Sequence, residues 1–403
     1  MDAFPRIKRL PPYVFSIVDE FKQSVRSQGH DVIDFGMGNP DRATPDHIVD
    51  SLIEAAKEPA NHRYSCSRGT QALREAICRW YQRRFAVNLD AESETIVTIG
   101  SKEGLAHLAM ALVDTNDSVV VPSPCYPVHM YGFVIAGANV HHIALTPLET
   151  FCERLEHAIN NCWPRPKGVV LNFPSNPSTV CVNIEFFEKI VALAKANDIW
   201  IIHDFAYAEL CFDGFQAPSI LQVTGAKDIA VESYSMSKTY NMPGWRLGFI
   251  SGNKDIIAAL ARLKSYMDYG TFAPVEHAAV TALDGSQDCI DSIRDCYQER
   301  RDVLCDGLNS IGWTVAKPKA TMFVWAKIPA QYKMNSIEFC QYLIEQAHVA
   351  VSPGAGFGEA GDDHVRLALV EDLDRTREAI ARIGKVFAED GIMPSGQSTS
   401  SVD

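Results

Sequence analysis

The sequence contains 403 residues, of which 47% are hydrophobic and 22% charged, a composition typical of a globular protein with more than one hydrophobic core. It carries 37 basic and 50 acidic residues, a formal net charge of -13, and no long basic block, which excludes nucleic acid as an expected partner. The cysteines form no C-x-x-C pair, and neither a signal-peptide core nor an apolar run of ~18 residues is present, so we predict a cytoplasmic protein without a zinc site, a disulfide scaffold or a membrane span.

Residues 1–44 open the chain with a Pro11-Pro12 pair and a GMGNP turn at 36–40. Prolines and glycines of this kind mark turns and extended segments, and they leave open which domain the stretch packs against. We assign residues 1–44 to an N-terminal arm that contributes part of a small domain.

Residues 45–285 are predicted to form a large domain. Between about residues 94 and 252, short apolar runs alternate with helical patterns such as IEFFEKIVALAKAN at 184–197. The runs are ETIVTI (94–99), SVVVP (118–122), NVHHIAL (139–145), KGVVLNFP (167–174), DIWIIHD (198–204), DIAVESYS (228–235) and RLGFISG (246–252). Strands that are apolar on both faces indicate a mainly parallel sheet covered by helices on both sides. The large domain is therefore expected to be an α/β sandwich with seven strands.

Residues 286–392 show a different pattern, with helices and strands in α+β order. The predicted elements are a charged amphipathic helix at 286–310, an alternating stretch at 313–328, a helix at 335–348, a strand at 364–370 and a last helix at 372–389. We expect a smaller α+β domain built from the two chain ends. The small, polar tail at 393–403 is expected to be disordered.

Polar residues follow several of the predicted parallel strands. In open parallel sheets, ligands bind outside the carboxyl ends of the strands, and four polar groups lie at such ends here. They are Gly100-Ser101-Lys102, Pro174-Ser175-Asn176-Pro177, Asp204-Phe205-Ala206-Tyr207 and Ser235-Met236-Ser237-Lys238. Together these groups suit a phosphate and a heteroaromatic ring.

Lys238 lies just after an apolar strand, where partial desolvation lowers the pKa of an amine and exposes its nucleophilic form. For this lysine alone, a solvated loop lysine is by far the more common interpretation. The pattern around it reverses that preference, because neighbouring hydroxyls and a guanidinium suit a phosphate. The S-x-S-K pattern followed by G-W-R-x-G resembles the cofactor-lysine signature of class I and II aminotransferases, which are fold-type I pyridoxal-phosphate enzymes. The resemblance extends from LPPYVF near the start to HVRLAL near the end. It implies that Lys238 holds pyridoxal 5'-phosphate as a Schiff base, while Ser235, Ser237 and Arg246 bind its phosphate.

Asp204 ends a strand with a carboxylate, which needs a cation or a donor if it is buried. A helix N-cap is the alternative interpretation for Asp204, and a turn residue is the alternative for Asn176 in PSNPS. The family resemblance implies that Asp204 keeps the pyridine nitrogen protonated, which makes the ring an electron sink. It further implies that Tyr207 and Asn176 bind the phenolic oxygen, and that Lys238, Asp204 and Tyr207 are catalytic.

The segment VTIGSKEGL combines a strand, a glycine turn and a helix start, which suits a phosphate but also occurs in ordinary βα turns. The resemblance implies that Ser101 and Lys102 contribute to a phosphate cup. It implies that Tyr126 stacks on the pyridine ring, although the residue alone reads equally as a core tyrosine. Tyr64 matches a tyrosine that reaches the phosphate of a neighbouring subunit, so the resemblance implies a homodimer with shared active sites.

Substrate residues are predicted on both chain ends. Arg366 lies in the middle of a strand, where an unpaired guanidinium is costly, and it matches an arginine that clamps the substrate α-carboxylate. Gly38, otherwise a turn residue, together with Tyr13 and Asn176, is expected to complete this part of the site. The glycines of SPGAGFGEAG lack the context of a dinucleotide fingerprint, so we predict a mobile loop over the substrate.

The resemblance implies ping-pong transamination between an L-amino acid and a 2-oxo acid, in which Lys238 also serves as the general base. Segments such as DFGMGNPD and KATMFVWAKIP look most like the bacterial glutamate-pyruvate (alanine) transaminase subgroup, so L-alanine and 2-oxoglutarate are the expected substrates. Aspartate, LL-diaminopimelate or broad-specificity aminotransferases are alternatives, as is a C–S β-lyase on the same scaffold. A non-enzymatic sensor domain fused to a DNA-binding module is a further alternative, which the sequence disfavours because it has no additional helix-turn-helix segment and no basic face. Arg42, Arg63 and Arg68 are candidates for the substrate side chain by position only.

Overall fold

A computed structural model describes residues 4–392 of the protein. The predicted disordered tail, 393–403, lies outside the described residues. Within them the strands, in chain order, are β1 Ile33–Asp34, β2 Thr95–Thr98, β3 Ser118–Ser123, β4 Asn139–Ala144, β5 Gly168–Asn172, β6 Trp200–Asp204, β7 Ala230–Ser235, β8 Gly248–Gly252, β9 Phe323–Lys327, β10 Val349–Ala350, β11 Ser352–Pro353 and β12 His364–Ala368.

Helices surround these strands throughout the described part of the chain. They are α1 Pro5–Lys8, α2 Val14–Ser27, α3 Asp46–Lys57, α4 Gln71–Phe85, α5 Ser101–Leu112, α6 Pro127–Ala136, α7 Phe151–Asn161, α8 Ile184–Ala196, α9 Met236–Thr239, α10 Lys254–Met267, α11 Ala273–Asp284, α12 Asp288–Ser310, α13 Ser336–Ala347 and α14 Leu373–Glu389. No helix among residues 4–392 is both long enough and apolar enough to cross a membrane.

The large sheet contains seven strands within the described residues, in the order β2-β8-β7-β6-β5-β3-β4. Strand β8 runs antiparallel to β2 and β7, and the other neighbouring pairs are parallel. Each of the seven predicted apolar runs coincides with one of these strands to within a few residues at either end, which confirms the mainly parallel seven-stranded sheet. The parallel register sets Asn172 beside Asp204, and Asp204 beside Ser233, so polar strand ends meet at one edge.

The two faces of the large sheet are buried in different hydrophobic cores. In β3, Val120 packs into the core that includes α4, α7 and α8, whereas Val119 and Val121 face the core formed with α5, α6 and α10. Successive side chains of a strand point to opposite faces, so a run of valines supplies both cores at once. This double burial explains why the strands are apolar without alternation.

A smaller sheet accompanies the large one. Strands β11, β12 and β9 form an antiparallel sheet of three, and β1 from the N-terminal stretch pairs in parallel with β10, with Ile33 beside Val349. Its core includes Trp313 and residues of α12, α13 and α14. The chain start therefore packs with the chain end, as the sequence predicted for the smaller α+β unit. The domain limits themselves stay predictions.

The glycine-rich segment SPGAGFGEAG forms packed turns rather than the mobile loop predicted from its composition. Two 3-10 turns, Gly354–Phe357 and Glu359–Gly361, lie against each other, and a Cβ on Gly354 would lie 1.9 Å from the Gly361 carbonyl oxygen. The Phe357 side chain is fully buried, and its carbonyl accepts a hydrogen bond of 2.9 Å from the Cys125 amide. The glycines therefore permit close backbone approach.

Candidate active site

A cavity of about 190 Å³ lies at the carboxyl ends of β5, β6 and β7. Apart from Tyr64, it gathers every predicted site residue. These are Tyr13, Gly38, Ser101, Lys102, Tyr126, Asn176, Asp204, Tyr207, Ser235, Ser237, Lys238, Arg246 and Arg366. The site thus combines residues from the large sheet, the N-terminal stretch and the smaller sheet.

Lys238 projects into this cavity from α9, which begins directly after β7. Its Nζ donates a hydrogen bond of 3.3 Å to the carbonyl of Gly38. Desolvation, together with the nearby Arg366 and Arg246, lowers the pKa of Lys238 to about 8, against the opposing effect of Asp204. Because the pKa lies near neutrality, a sizeable fraction of the amine is uncharged and nucleophilic.

One end of the cavity is an anion cradle. The amino terminus of α5 begins at Ser101, after Gly100 in a left-handed conformation with φ of 81°. A Cβ at Gly100 would lie only 2.3 Å from Nη2 of Arg246, so a side chain there would displace the guanidinium. Arg246 donates through Nη1 to the Pro243 carbonyl at 2.7 Å. Free amides at a helix start, serine hydroxyls and a guanidinium together suit a phosphate.

Asp204 lies at the end of β6 and is almost completely buried. Its Oδ2 is 2.8 Å from Nε2 of His129, a buried residue of α6 that the sequence analysis missed. The other oxygen, Oδ1, is buried and has no hydrogen-bond partner among the described residues. A buried unpaired carboxylate oxygen is costly, so this atom fits a protonated nitrogen of a bound ring. His129 lies one helical turn after Tyr126, and this spacing was the available sequence signal.

Asn176 and Tyr207 meet beside Asp204. The Asn176 side-chain nitrogen donates to the Tyr207 hydroxyl at 3.4 Å, and the Asn176 side-chain oxygen accepts from Arg366 Nη1 at 2.9 Å. The Asn176 backbone amide donates to the side chain of Asn172, at the end of β5, at 2.8 Å. Burial raises the pKa of the Tyr207 hydroxyl, which therefore stays protonated and can donate to an anionic oxygen.

Arg366 is a buried guanidinium that bonds only neutral acceptors among residues 4–392. Besides Asn176, it donates through Nη2 to the Gly36 carbonyl at 3.2 Å and to Ser352 Oγ at 3.4 Å, while its Nε lacks a partner there. Its Cζ lies 4.1 Å from the ring centre of Phe323. Burial lowers its pKa to about 10, so it remains charged at neutral pH and suits a carboxylate ligand.

Several aromatic residues line the cavity. Tyr126 lines it and lies 5.9 Å from Nζ of Lys102, and burial raises the pKa of Tyr126 to about 12. Tyr13 packs against Phe15 with ring centres 5.0 Å apart and the planes tilted by 52°. Sequence reasoning missed Phe15, Met37, Asn172, Ala206 and Phe323 in the lining, because their types carry no chemical signal alone. The lining does not include the three arginines considered for the substrate side chain, Arg42, Arg63 and Arg68.

Tyr64 lies outside the cavity of its own chain. Its side chain is 86% exposed, and its ring centre is 4.7 Å from that of Tyr269. Tyr266, Phe272 and Met267 are also exposed nearby in sequence. These five residues form what we call the aromatic patch. An exposed group of large apolar side chains marks an interaction surface.

Comparisons with known proteins give consistent matches over almost the whole chain. The family described as aminotransferase class I and II matches residues 30–383. The glutamate-pyruvate aminotransferase AlaC of Escherichia coli K12 is 56% identical over 97% of this chain and 95% of its own length. An LL-diaminopimelate aminotransferase of Moorella thermoacetica is 42% identical over 96% and 99%. The substrate-bound BacF structure from Bacillus subtilis superposes with a TM-score of 0.88, at 36% identity over 96% and 98%.

Proposed function

Since the chain belongs to the class I and II aminotransferase family, we propose that it transfers the amino group of L-alanine to 2-oxoglutarate, giving pyruvate and L-glutamate. The family assignment confirms the resemblance expected from the S-x-S-K and G-W-R-x-G segments. Transamination with pyridoxal 5'-phosphate is the activity of this family, and amino acids and 2-oxo acids are its substrates. The choice of alanine is supported by the 56% identity to the Escherichia coli glutamate-pyruvate aminotransferase.

The cofactor, when bound, supplies an electron-withdrawing ring that stabilises negative charge at the substrate Cα. One observation carries the assignment of residues. The desolvated amine of Lys238, the unpaired carboxylate oxygen of Asp204 and the guanidinium of Arg366, which has no carboxylate partner among residues 4–392, line the same cavity. Lys238 is the group that binds the cofactor carbonyl covalently and, once released, moves the proton at Cα. Its lowered pKa suits both tasks.

Asp204 is proposed to bind the protonated ring nitrogen through Oδ1. His129 holds the other oxygen at 2.8 Å and fixes the orientation of the carboxylate. Asn176 and the protonated Tyr207 hydroxyl are proposed to donate to the phenolic oxygen, and Asn176 links them to Arg366. A substrate carboxylate bound by Arg366 would therefore be connected to the Tyr207 hydroxyl through the hydrogen bonds of Asn176.

The anion cradle is proposed to bind the cofactor phosphate. Ser101 and Lys102 contribute from the start of α5, and Ser235, Ser237 and Arg246 contribute from the end of β7 and the turn before β8. Tyr126 is proposed to stack on the ring. Gly38 and Tyr13, which line the same cavity, are proposed to lie beside the substrate.

A coupled assay of purified protein tests the choice of substrate. We expect pyruvate-dependent turnover of L-glutamate to exceed turnover with aspartate or LL-diaminopimelate as the donor. Preference for LL-diaminopimelate would favour the activity named for the Moorella relative, 42% identical to this chain. Release of ammonia and pyruvate from cystathionine, without amino transfer, would instead indicate a C–S β-lyase.

We further propose that two chains associate and that Tyr64 of each reaches the phosphate site of the other. Tyr64 is exposed, is not among the residues that line the cavity of its own chain, and belongs to the aromatic patch. Burial of such a patch against a second copy would remove its apolar surface from water. The domain limits of 45–285 and 286–392 and a cytoplasmic location also stay proposals, the latter supported by free thiols throughout residues 4–392.

A further inference from the structure

Lys264 is a buried lysine outside the candidate active site. It lies near the end of α10, and its side chain has 0% exposure. Its Nζ is 3.0 Å from Oε1 of Glu103 and 2.8 Å from Oδ2 of Asp268. A buried ammonium is costly unless it is paired and hydrogen-bonded, so the two carboxylates determine where this side chain lies.

Glu103, one of the two carboxylates that bind Lys264, also contacts the turn of the anion cradle. Glu103 lies in the first turn of α5, and its Oε2 accepts a hydrogen bond of 2.9 Å from the Ile99 amide. Ile99 directly precedes Gly100 and Ser101, which form the phosphate-binding turn. Burial raises the pKa of Glu103, but His107 and Lys264 hold it below its ordinary value, so the carboxylate stays charged. Glu103 therefore fixes the turn through a charge-assisted hydrogen bond.

The Asp268 end contacts the aromatic patch. Oδ1 of Asp268 accepts a hydrogen bond of 2.7 Å from the Gly270 amide. Gly270 has φ of 81°, and a Cβ there would lie 2.3 Å from the Cys66 carbonyl oxygen, so this turn packs tightly on the segment that follows Tyr64. The Tyr269 ring in the same turn packs against the Tyr64 ring, with the two planes tilted by 37°. Asp268 therefore fixes the backbone that carries the patch.

A metal ion is an unsuitable occupant of this cluster. Ligand atoms of Glu103, His107 and Asp268 lie within 4.8 Å of one another, a spacing that resembles a metal site. The Lys264 ammonium, however, already lies within hydrogen-bond distance of both carboxylates. The protein thus supplies its own cation between the two acids.

We propose that Lys264, with Glu103 and Asp268, is a positioning residue that couples phosphate binding in the anion cradle to association of two chains through the aromatic patch. The proposal rests on the proposed function, because it requires both the cofactor and the dimer. Coupling of this kind is reciprocal: if the cofactor strengthens association, then association strengthens cofactor binding by the same factor. The three charged side chains form a continuous link between the two sites.

Two dissociation constants test the proposal. The first is that of the dimer, measured by analytical ultracentrifugation with and without saturating pyridoxal 5'-phosphate; the second is that of the cofactor, measured by absorbance titration. In the unmodified protein we expect the cofactor to tighten the dimer by about tenfold, within the usual range of allosteric coupling. In Lys264→Met we expect this ratio to fall to about threefold, since the proposed contact of Tyr64 with the phosphate remains, and we expect the cofactor to bind more weakly.

Two further variants separate coupling from loss of stability. Asp268→Asn keeps a hydrogen-bond acceptor near Gly270 but removes the charge that faces Lys264, and it should also reduce the ratio. Lys254→Met removes an exposed lysine at the start of α10 and should leave the ratio unchanged. A purely structural role for Lys264 would lower the melting temperature without changing the ratio.

Each remaining outcome counts against a specific statement. If Lys264→Met and Asp268→Asn keep the coupling of the unmodified protein, or if Lys254→Met loses it, the role of Lys264 is wrong. The same holds if the unmodified protein binds the cofactor and dimerises without any coupling. If the unmodified protein neither binds the cofactor nor dimerises, the proposed function itself fails.

Discussion

At the scale of single residues, the chemistry depends on charges that are held without their usual partners. Lys238 loses hydration and lies near two guanidinium groups, which lowers its pKa to about 8. Arg366 is buried among neutral acceptors and aromatic rings, and Asp204 keeps one buried oxygen unpaired among the described residues. Each of these arrangements is costly by itself, and each is relieved by a ligand of the complementary charge.

The pKa of Lys238 predicts how cofactor capture depends on pH. Only the neutral amine attacks a carbonyl, and its fraction rises about tenfold per pH unit below the pKa. The rate of capture by the cofactor-free protein should therefore rise up to about pH 8 and then level off. Borohydride trapping followed by mass spectrometry measures this rate. A profile that keeps rising toward pH 10, as for free lysine, would contradict the lowered pKa.

Lys238→Ala should abolish turnover while part of the cofactor binding remains. The variant loses both the covalent attachment and the proton-transfer group, so we expect a fall in kcat of at least about 10³-fold. The cradle, Asp204 and Tyr126 are unchanged and should still bind the cofactor non-covalently. Steady-state kinetics and absorbance titration measure the two effects, with the exposed Lys254→Ala as the control. Activity equal to that of the unmodified protein would refute the assignment.

Arg366→Lys tests the carboxylate clamp. Lysine keeps the positive charge but loses the planar fork that binds two oxygens at once, so the KM for both substrates should rise by roughly 10- to 100-fold. The effect on kcat should be smaller, because the lysine that transfers the proton is unchanged. Arg377→Lys, at an exposed arginine paired with Asp374, is the matched control. Equal KM values in Arg366→Lys and the unmodified protein would exclude the clamp.

At the scale of elements, the site is built where strands end and helices begin. Helix α5 starts directly after the Gly100 turn, and α9 starts directly after β7, so the anion cradle and Lys238 both lie at the same sheet edge. The positive φ of Gly100 is needed to direct the chain from β2 into α5. The absence of its side chain leaves room for the Arg246 guanidinium.

Gly100→Ala should weaken cofactor binding for this reason. The added Cβ would lie 2.3 Å from Nη2 of Arg246, so the guanidinium must move away from the cradle. We expect the dissociation constant of the cofactor to rise by about tenfold or more, equivalent to one lost charge-assisted hydrogen bond. Gly214→Ala is the control, because Gly214 also has a positive φ but has open space around its Cβ position. Equal cofactor affinities in the two variants would show that the contact between the added Cβ and Arg246 does not affect cofactor binding.

Much of the large sheet could be predicted because each strand is a short, continuous apolar run in the sequence, and helical patterns separate one run from the next. β-branched residues indicate a strand in runs such as SVVVP, even when the adjacent strands of the sheet are not known. The residues that contribute only through distant contacts could not be found in this way. Phe15, Ser352 and Phe323 carry no chemical signal, and each reaches the site from far along the chain. The composition of SPGAGFGEAG likewise suggested mobility, because the burial of Phe357 depends on tertiary packing.

At the scale of the whole molecule, the cavity is assembled from three separate stretches of sequence. Lys238 and Asp204 come from the large sheet, Tyr13 and Gly38 from the N-terminal stretch, and Arg366 from the smaller sheet. The hydrogen bond between Lys238 and the Gly38 carbonyl joins the first two stretches, and that between Arg366 and Asn176 joins the first and the third. Tyr64 remains the predicted residue that its own chain does not bring to the site.

Subunit complementation tests whether Tyr64 completes the site of a second chain. If it does, a mixed dimer of Lys238→Ala and Tyr64→Ala chains has one site with both changes and one site with neither. Random re-association makes about half of the dimers mixed, so the mixture should regain about a quarter of the unmodified activity at limiting cofactor. Each variant alone should be nearly inactive under that condition.

Mixing Lys238→Ala chains with Arg366→Ala chains is the matched control. Lys238 and Arg366 line the cavity of one chain, so a mixed dimer of these two variants has one change in each site and should regain no activity. If activity returns in the mixture that contains Tyr64→Ala but not in the mixture that contains Arg366→Ala, then Tyr64 is contributed to the site by the second chain. If neither mixture regains activity although exchange of labelled chains is demonstrated, then Tyr64 acts within its own chain, and the aromatic patch needs another explanation.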